Sequence, residues 1–417
     1  MSITQGLSGL QAVTRSLEVI GNNIANAGTY GAKASRAEFA EVYSNSLGAP
    51  GESGAGSGVK VTGFTQRFTQ GGISTTGNAM DLAIDGRGFF MLQDSQNKEL
   101  YSRNGQFQVD RDGYVVNAQG LKLLGTVWDD TAGRGTGVAQ AMRMNLGAGD
   151  VVQTGKGADA SAQGTRLALN LDSRASVPAA FDMDNPASYN FSTSQTVYDG
   201  QGTGMTMTYF FRKTAANEWE MRVALDGQEV TDPATPPALV FGADGRLDTG
   251  ASDTSLALDI DDGGAPPTPI FTGLPVKLGN MTQFSGSFAV TEMRQDGFSY
   301  GELTGVSFDD NGVLQASYSN GHVKNLYQLQ LADFTSLNGL RPIGGNAWES
   351  TAAAGSKVVN APGSNGIGLI QGGSLEQSNI DLTTELVDMI TAQRMYQANA
   401  QTIKTMDQAL QTLVNLR

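Results

Sequence analysis

The side chain best suited to acid–base chemistry near neutral pH is that of His322, the single histidine of the chain. A Ser-His-Asp triad would have to use it, because the imidazole takes the proton of the serine. His322 directly follows Asn320-Gly321, a pair that is typical of tight turns. We therefore interpret His322 as an exposed turn residue and predict no catalytic role for it.

Other short motifs lack residues that ligand chemistry requires. Residues 259–264 are acidic and Gly-rich, but they lack the alternating ligands and the closing glutamate of a calcium loop. Segments 86–88 and 202–204 each contain two glycines, yet neither has the Lys-Ser/Thr pair of a phosphate loop. The chain has no cysteine, which excludes disulfides, thiolate zinc sites and cysteine nucleophiles. The sequence thus predicts no enzyme, no metal site and no cofactor.

Length and charge restrict the class of protein further. A chain of 417 residues allows two or three domains. Its formal net charge of −14 argues against binding to nucleic acid or to anionic membrane surfaces. No apolar run is long enough to span a bilayer, and the N-terminus lacks the features of a cleaved signal peptide. We expect neither nucleic-acid binding nor membrane insertion, and any export should proceed without a cleaved signal.

The last 44 residues, 374–417, contain neither Gly nor Pro although the whole chain has 54 Gly. Apolar residues recur there at spacings of four and three, the pattern of a long amphipathic helix with a heptad seam. Acidic residues lie near its start and basic residues lie later, which the helix dipole favours. We predict a helix over 381–416, about 54 Å long at 1.5 Å per residue.

The N-terminal segment carries a matching heptad that starts at Ile3 and predicts a helix over 2–26. We expect the two terminal helices to pair and their seams to pack on other copies of the chain. A hairpin packed only within one chain is the alternative. The candidate assembly residues are Ile3, Leu7, Leu10, Val13, Leu17, Ile20, Ile24, Leu382, Leu386, Met389, Ile390, Tyr396, Ile403, Leu410, Leu413 and Val414.

Short alternating segments separated by turn residues fill the chain between the helices. Asn-Gly, Asp-Gly and Gln-Gly pairs divide residues 101–124 at regular intervals, which predicts an antiparallel meander. Residues 205–211 and 219–225 alternate strictly and predict a half-buried antiparallel pair with its turn at 214–217. The predicted class is mixed α and β: paired, coiled-coil-like terminal helices plus two mostly antiparallel β domains, the second inserted into the first.

This interpretation divides the chain into four parts. We expect a terminal helical axial domain at 1–30 and 374–417, with connectors at 31–70 and 355–373. An inner β domain should span 71–144 and 285–354, and an outer inserted β domain 145–284. The Gly-rich stretches 48–58 and 355–373 are expected to act as joints between these parts.

Several motifs resemble those of the bacterial flagellar rod and hook proteins. The N-terminal motif is Gly21-Asn-Asn-Ile-Ala-Asn26 followed by Thr29-Tyr-Gly-Ala-Lys33, where Ala32 stands at a position that is usually aromatic in the family. Residues 81–90 and 101–107 resemble the shared β core, and residues 376–396 resemble the C-terminal helix. Segments 35–39, 303–306, 318–321 and 412–417 resemble the hook proteins within this family.

The resemblance implies an extracellular structural role in the bacterial flagellum. Hook proteins form a curved tube of one repeated subunit that joins the motor rod to the filament and transmits torque as a universal joint. The implied partners are further copies of the chain, the distal rod, hook cap and hook–filament junction proteins, and the flagellar type III export apparatus. Two alternatives remain: a distal-rod subunit of the same family, or a secreted enzyme or adhesin on a coiled-coil stalk.

Overall fold

Two long helices at the two ends of the chain pack against each other. The computed structural model describes residues 3–42, 58–147, 149–159, 162–230, 237–248, 255–261 and 268–415. Helix α1 (Ile3–Asn26) and helix α2 (Leu382–Asn415) run antiparallel, since the start of α1 lies beside the later part of α2. The predicted helices 2–26 and 381–416 are confirmed to within one residue at each end.

Helix α2 begins where Asp381 caps it. The carboxylate of Asp381 accepts hydrogen bonds from the backbone N–H of Thr383 at 2.8 Å and from the hydroxyl of Thr384 at 3.0 Å. These bonds satisfy groups that lack a partner at the first turn of a helix, and they hold the pKa of Asp381 below its usual range. Residues 374–376, which the sequence placed with this helix, instead form a β-strand.

A hairpin of two strands, β1 (Ser35–Glu41) and β2 (Val59–Gln66), packs against α1. The joint expected at 48–58 lies outside the described residues, except for Gly58. The chain then enters an inner β region, whose first strands are β3 (Ile73–Thr75), β4 (Leu82–Asp85), β5 (Phe89–Gln93), β6 (Glu99–Ser102), β7 (Phe107–Val109), β8 (Val115–Asn117), β9 (Lys122–Asp129) and β10 (Arg134–Ala141).

An outer β region follows and is inserted into the inner one. Its strands are β11 (Asp150–Val152), β12 (Thr165–Asp172), β13 (Phe191–Tyr198), β14 (Gly204–Ala215), β15 (Glu218–Leu225), β16 (Gln228–Glu229), β17 (Ala238–Val240), β18 (Ser255–Asp261), β19 (Pro269–Lys277), β20 (Thr282–Phe284), β21 (Ala289–Gln295) and β22 (Phe298–Gly301). In the described residues, β12 and β18–β21 form one five-stranded sheet and β13–β17 form another.

The inner region then resumes and returns the chain to α2. Its later strands are β23 (Leu303–Phe308), β24 (Val313–Tyr318), β25 (Val323–Leu329), β26 (Leu331–Phe334), β27 (Leu340–Gly344), β28 (Ala347–Ser350), β29 (Lys357–Asn360), β30 (Leu369–Gly372) and β31 (Ser374–Glu376), with short 3₁₀ helices at Leu337–Gly339 and Ala352–Ala354. Within the part of the chain that is described, thirteen strands form the inner sheet. Strands β3 and β4 pair instead with β31 and β30.

The outer region has its own apolar core between its two sheets. Strands β14 and β15 form the predicted antiparallel pair, with Tyr209 opposite Val223 and Phe211 opposite Met221, and β14 extends to Ala215, so the turn is shorter than the predicted 214–217. Asn217, in the turn between them, has a φ of 60°, the left-handed conformation that such turns use. The inward side chains pack on Leu169 and its neighbours in β12. Strict alternation therefore predicted this hairpin correctly, because one face of it is buried.

The inner region includes strands from the segment expected to be a connector, 355–373. Strand β29 pairs with β26, and β30 pairs with β4. Ile370 of β30 is 3% exposed and belongs to the main inner core. The segment is therefore built into the inner sheets, although its Gly-rich composition carries a weak strand signal. The overall class, mixed α and β with mostly antiparallel sheets, is confirmed.

Candidate assembly surface

The two terminal helices approach each other closely at glycines of α1. A Cβ atom added to Gly6 would lie 3.0 Å from Cγ1 of Ile403. One added to Gly9 would lie 3.1 Å from Nδ2 of Asn399. Small residues spaced three apart let one helix lie against side chains of the other at short range. The close packing of α1 on α2 therefore depends on Gly6 and Gly9, which contribute almost no apolar side-chain surface.

The other end of the helix contact is polar and includes Asn23, which is 3% exposed. Its Nδ2 donates to the carbonyl of Ser35 at 2.9 Å and to Oε1 of Glu385 at 3.0 Å, and its Oδ1 accepts from the N–H of Ser35 at 2.9 Å. Burial raises the pKa of Glu385, and the bond from Asn23 opposes that shift. Asn23 thus ties α1, α2 and the start of β1 together at one point.

Many of the predicted seam residues are exposed in the single chain. Leu386 is 49% exposed and Ile390 is 51% exposed, although apolar side chains of this size are most often buried. On α2 these residues lie one turn apart and form a stripe. The predicted seam residues that are exposed are Leu7, Leu382, Leu386, Ile390, Tyr396 and Leu410.

The rest of the predicted seam is more enclosed. Ile20 is 9% exposed and lies in a cleft with Ala392 of α2. Half-buried positions are Leu10, Val13, Leu17, Ile24, Met389 and Ile403. The side chains of Ile3, Leu413 and Val414 lie outside the described residues. Sequence reasoning missed Gly9, Ala392 and Asn399 as contact residues; the small-residue spacing of Gly6 and Gly9 is the signal that could have found the first.

An open cleft of about 470 Å³ lies between α1, α2 and β1. Its apolar lining includes Ile20, Phe39 and Met395, and Asn23 and Glu385 are among its polar residues. The ring of Phe39 is 43% exposed, and Met395 is 49% exposed. The apolar surface of the helix pair therefore extends onto the β1–β2 hairpin.

A buried ionic cluster joins the helix pair to the inner β region. Oε1 of Glu376 accepts from Nζ of Lys33 at 2.6 Å and from the N–H of Gly71 at 2.9 Å. Its Oε2 accepts from Nη1 of Arg103 at 3.1 Å. The side chains of Lys33 and Glu376 are 0% exposed and that of Arg103 is 6% exposed. The segments after α1 and before α2 are thus held on one carboxylate.

This cluster holds two cations and one anion away from water. Burial lowers the pKa of Lys33 and that of Arg103, and the Glu376 carboxylate opposes both shifts. Nζ of Lys33 also donates to the carbonyl of Thr69 at 2.8 Å, and the guanidinium of Arg103 lies 5.2 Å from the centre of the Phe89 ring. These contacts compensate part of the cost of burying charge.

Three of the sequence motifs meet at this cluster. Lys33 closes the N-terminal motif, Arg103 belongs to 101–107, and Glu376 opens the C-terminal motif. Gly31 has a φ of 71°, and a Cβ there would lie 2.5 Å from the backbone nitrogen of Asn104. A glycine is therefore required at this crossing for both conformation and space. The motifs mark the place where the terminal helices attach to the inner region.

His322 is not the exposed turn residue that the sequence indicated. Its side chain is 16% exposed, and its Nδ1 lies 2.9 Å from Oδ2 of Asp150. Among the described residues, no group of three or more histidine and acidic side chains could hold a metal ion. The described helices include none with the length and apolar character of a membrane span.

Comparison with known proteins identifies the family to which these motifs belong. The chain is 38% identical to the flagellar hook protein FlgE of Escherichia coli and 39% identical to that of Salmonella typhimurium, each alignment covering 100% of both chains. The chain belongs to the flagellar hook protein family. The hook protein of Treponema pallidum is 32% identical, with 100% of this chain and 99% of that protein covered.

Family models match the same parts of this hook-family chain. The flagella basal body rod protein model matches 3–33, and the flagellar basal body rod FlgEFG C-terminal model matches 371–416. The FlgE/F/G D1 domain model matches 83–151, and the FlaE D2 domain model matches 170–298. The crystal structure of Helicobacter pylori FlgE2 has a similar fold, with a TM-score of 0.51 and 14% identity over 73% of this chain and 100% of that one.

Proposed function

We propose that this chain is a structural, non-enzymatic subunit of the bacterial flagellar hook. Copies assemble into a curved, flexible helical tube that acts as a universal joint and transmits torque from the motor rod to the filament. The observation that carries the proposal is the exposed apolar stripe on α2, which includes Leu386 and Ile390. In a polymer, each stripe is buried against a neighbouring copy.

The energetics of assembly support this role for the stripe. Burial of apolar surface stabilises by about 25 cal/mol per Å², so a row of half-exposed Leu and Ile side chains provides a substantial driving force. A contact between two different surfaces of identical chains generates a helix of subunits when its rotation does not close into a ring. The predicted seam residues, including Ile3, Leu413 and Val414, belong to this proposed contact.

The proposed arrangement assigns a layer to each part of the chain. Segments 1–30 and 374–417 form the inner axial layer. They are joined through 31–70 and 355–373 to an inner β domain predicted at 71–144 and 285–354, of which β21 and β22 belong to the outer region, whereas β29 and β30 of 355–373 lie in the inner sheets. The outer β domain, predicted at 145–284 and extended to Gly301 by β21 and β22, faces the outside. The proposed location is extracellular, after passage through the flagellar export apparatus. Proposed contacts beyond the homopolymer are the distal rod, hook cap and hook–filament junction proteins.

A point substitution in the stripe tests the proposal. We expect Leu386→Asp to fold as the parent chain does and to form no tubes, because a charge in the buried contact is costly. Ala398→Asp is the matched control: it adds the same charge at an exposed site of α2, about 120° around the helix from Leu386 at 3.6 residues per turn. Electron microscopy of the purified chains, induced to polymerise, measures the outcome.

The form of the polymer separates this proposal from the alternatives. Curved tubes from the parent chain and from Ala398→Asp, with none from Leu386→Asp, support the hook subunit. Straight, rigid tubes would support a distal-rod subunit. This alternative is considered because the family models that match the two ends of the chain are both named after basal body rod proteins. A closed soluble oligomer, or catalytic turnover by it, would contradict the proposal and favour an enzyme or adhesin on a stalk.

A further inference from the structure

The outer β region connects to the inner one through a two-stranded ribbon. Strands β11 and β22 pair, with Asp150 opposite Gly301 and Val152 opposite Phe298. Beyond the ribbon, the N–H of Thr154 donates to the carbonyl of Tyr198 at 3.0 Å, which ties this end to the outer region. A narrow connection of this kind leaves relative motion of two domains as the default, unless other contacts restrain it.

The turn between β24 and β25 of the inner region provides such contacts. Nδ2 of Asn320 donates to the carbonyl of Ser299 in the ribbon at 2.6 Å. The N–H of Ser319 donates to the carbonyl of Glu302 at 2.8 Å, and the N–H of Glu302 donates to Oγ of Ser319 at 3.0 Å. The turn therefore binds the β22 side of the ribbon through both backbone and side chains.

The other strand of the ribbon is held by charge. Oδ2 of Asp150 lies 2.9 Å from Nδ1 of His322, and Oδ1 accepts from Nζ of Lys324 at 2.8 Å. A carboxylate only accepts hydrogen bonds, so His322 donates here whether its ring is neutral or charged. The imidazole also packs on the ring of Phe298, with 4.7 Å between the ring centres. The carboxylate is largely enclosed, since the side chain of Asp150 is 13% exposed.

We propose that the turn 319–322, together with Lys324, is a clasp that holds the outer region at a fixed orientation to the inner region. The clasp contacts both strands of the ribbon: Asp150 of β11 bonds to His322 and Lys324, and Asn320 of the turn bonds to Ser299 of β22. All contacts of the clasp lie within a single chain, so this inference does not depend on assembly. Its consequence for a polymer rests on the proposed function: subunits with an open clasp would form tubes that bend more easily.

A distance measurement on the full chain tests the clasp. Because the chain has no cysteine, Val290→Cys on β21 and Val358→Cys on β29 give two specific labelling sites, 39% and 48% exposed. Spin labels there report the distance between the outer and inner regions by double electron–electron resonance. We expect Asp150→Asn combined with Asn320→Ala to widen the distance distribution about twofold, because the ion pair of Asp150 and the hydrogen bond of Asn320 then no longer restrain relative motion.

The matched control breaks an ion pair inside the outer region. Asp172→Asn removes the charge that pairs with Arg174 at 2.9 Å and should leave the width unchanged. An unchanged width in the clasp variant, or equal widening in the control, would overturn the clasp. If that variant loses its thermal unfolding transition, Lys324→Met replaces it under the same criterion. Tube formation by the parent chain is scored separately, so failure of the clasp and failure of the hook proposal are distinguishable.

Discussion

Replacement of Glu376 by glutamine tests whether the buried ionic cluster attaches the terminal helices to the inner β region. Glu376→Gln keeps the size of the side chain and removes its charge. Lys33 and Arg103 then remain as two cations, 0% and 6% exposed, with no carboxylate between them. The amide nitrogen that replaces one carboxylate oxygen is a donor, so it faces groups that also donate.

The expected cost follows from burial and geometry. Loss of one partner from a buried ion pair typically costs about 3 to 5 kcal/mol, because the remaining charge is left uncompensated. The bonds from Lys33 to the carbonyl of Thr69 and from Arg103 to the carbonyl of Gly86, both 2.8 Å, persist in the variant. They limit the loss but leave the net positive charge in place. We therefore expect the free energy of unfolding of the inner region to decrease by about 3 to 5 kcal/mol.

Glu18→Gln is the matched control for this change. Glu18 pairs with Arg15 at 2.7 Å, but the side chains are 54% and 58% exposed. Exposed helix pairs contribute only about 0.3 to 0.5 kcal/mol. Lys33→Met is a second comparison: it leaves one cation and one anion in the cluster, so it should cost less than Glu376→Gln.

Equilibrium urea unfolding with amide hydrogen exchange measures these changes. Amide exchange reports the protection of the inner and the outer strands separately, and the protection of the β14–β15 hairpin in the outer region serves as an internal reference. In Glu376→Gln, protection should fall in β3, β4 and β31 and stay unchanged in β14 and β15. If Glu376→Gln is no more destabilising than Glu18→Gln, the cluster does not hold the junction and the reasoning is refuted.

Two further predictions concern the helix pair and the outer core. Gly6→Leu should destabilise α1 by about 1 to 3 kcal/mol through crowding against Ile403, whereas Gly21→Leu, with no atom near the added Cβ, should be neutral or stabilising; thermal unfolding by circular dichroism compares them, and equal effects would contradict the close contact. Burial raises the pKa of Tyr209 to about 12 from 10.0. The folded state favours the neutral phenol, so its contribution to stability is complete below pH 10. It is lost as pH rises to about 12, by up to about 2.7 kcal/mol at 1.36 kcal/mol per pH unit. With the free energy of unfolding measured by urea at each pH, its decrease with pH should be smaller in Tyr209→Phe than in the parent chain and unchanged in Tyr300→Phe; equal decreases in all three would contradict the effect of the buried phenol.

The sequence predicted those elements whose signals are local. Helix α2 begins beside Asp381 because a capping carboxylate and an apolar heptad both lie there. The pairing of β14 with β15 followed from strict alternation on both arms and from a turn predicted at 214–217, which includes Asn217. Each of these elements depends on residues within a few positions of one another.

The remaining features depend on contacts between distant residues, which no local pattern reveals. Lys33 and Glu376 are 343 positions apart. The contact of Gly9 with Asn399 involves a glycine and an amide, neither of which contributes to a hydrophobic stripe. His322 was expected to be exposed because its turn was recognised, whereas the strand that covers it begins at Asp150. The resemblance to a family located the motifs, and the structure gave the reason that they lie together.

The pairing of β3 with β31 and of β4 with β30 has a consequence for the order of folding. Ile73 pairs with Glu376 and Ile84 with Ile370, so each ribbon closes a loop of nearly the whole β portion of the chain. The entropy of closing such loops delays their formation until other contacts have brought the ends together. A chain that emerges N-terminus first cannot complete these ribbons until its last strands have appeared. Strands β3 and β4 thus lack these partners while the chain is still emerging, and the inner region is completed only when the final segment has appeared.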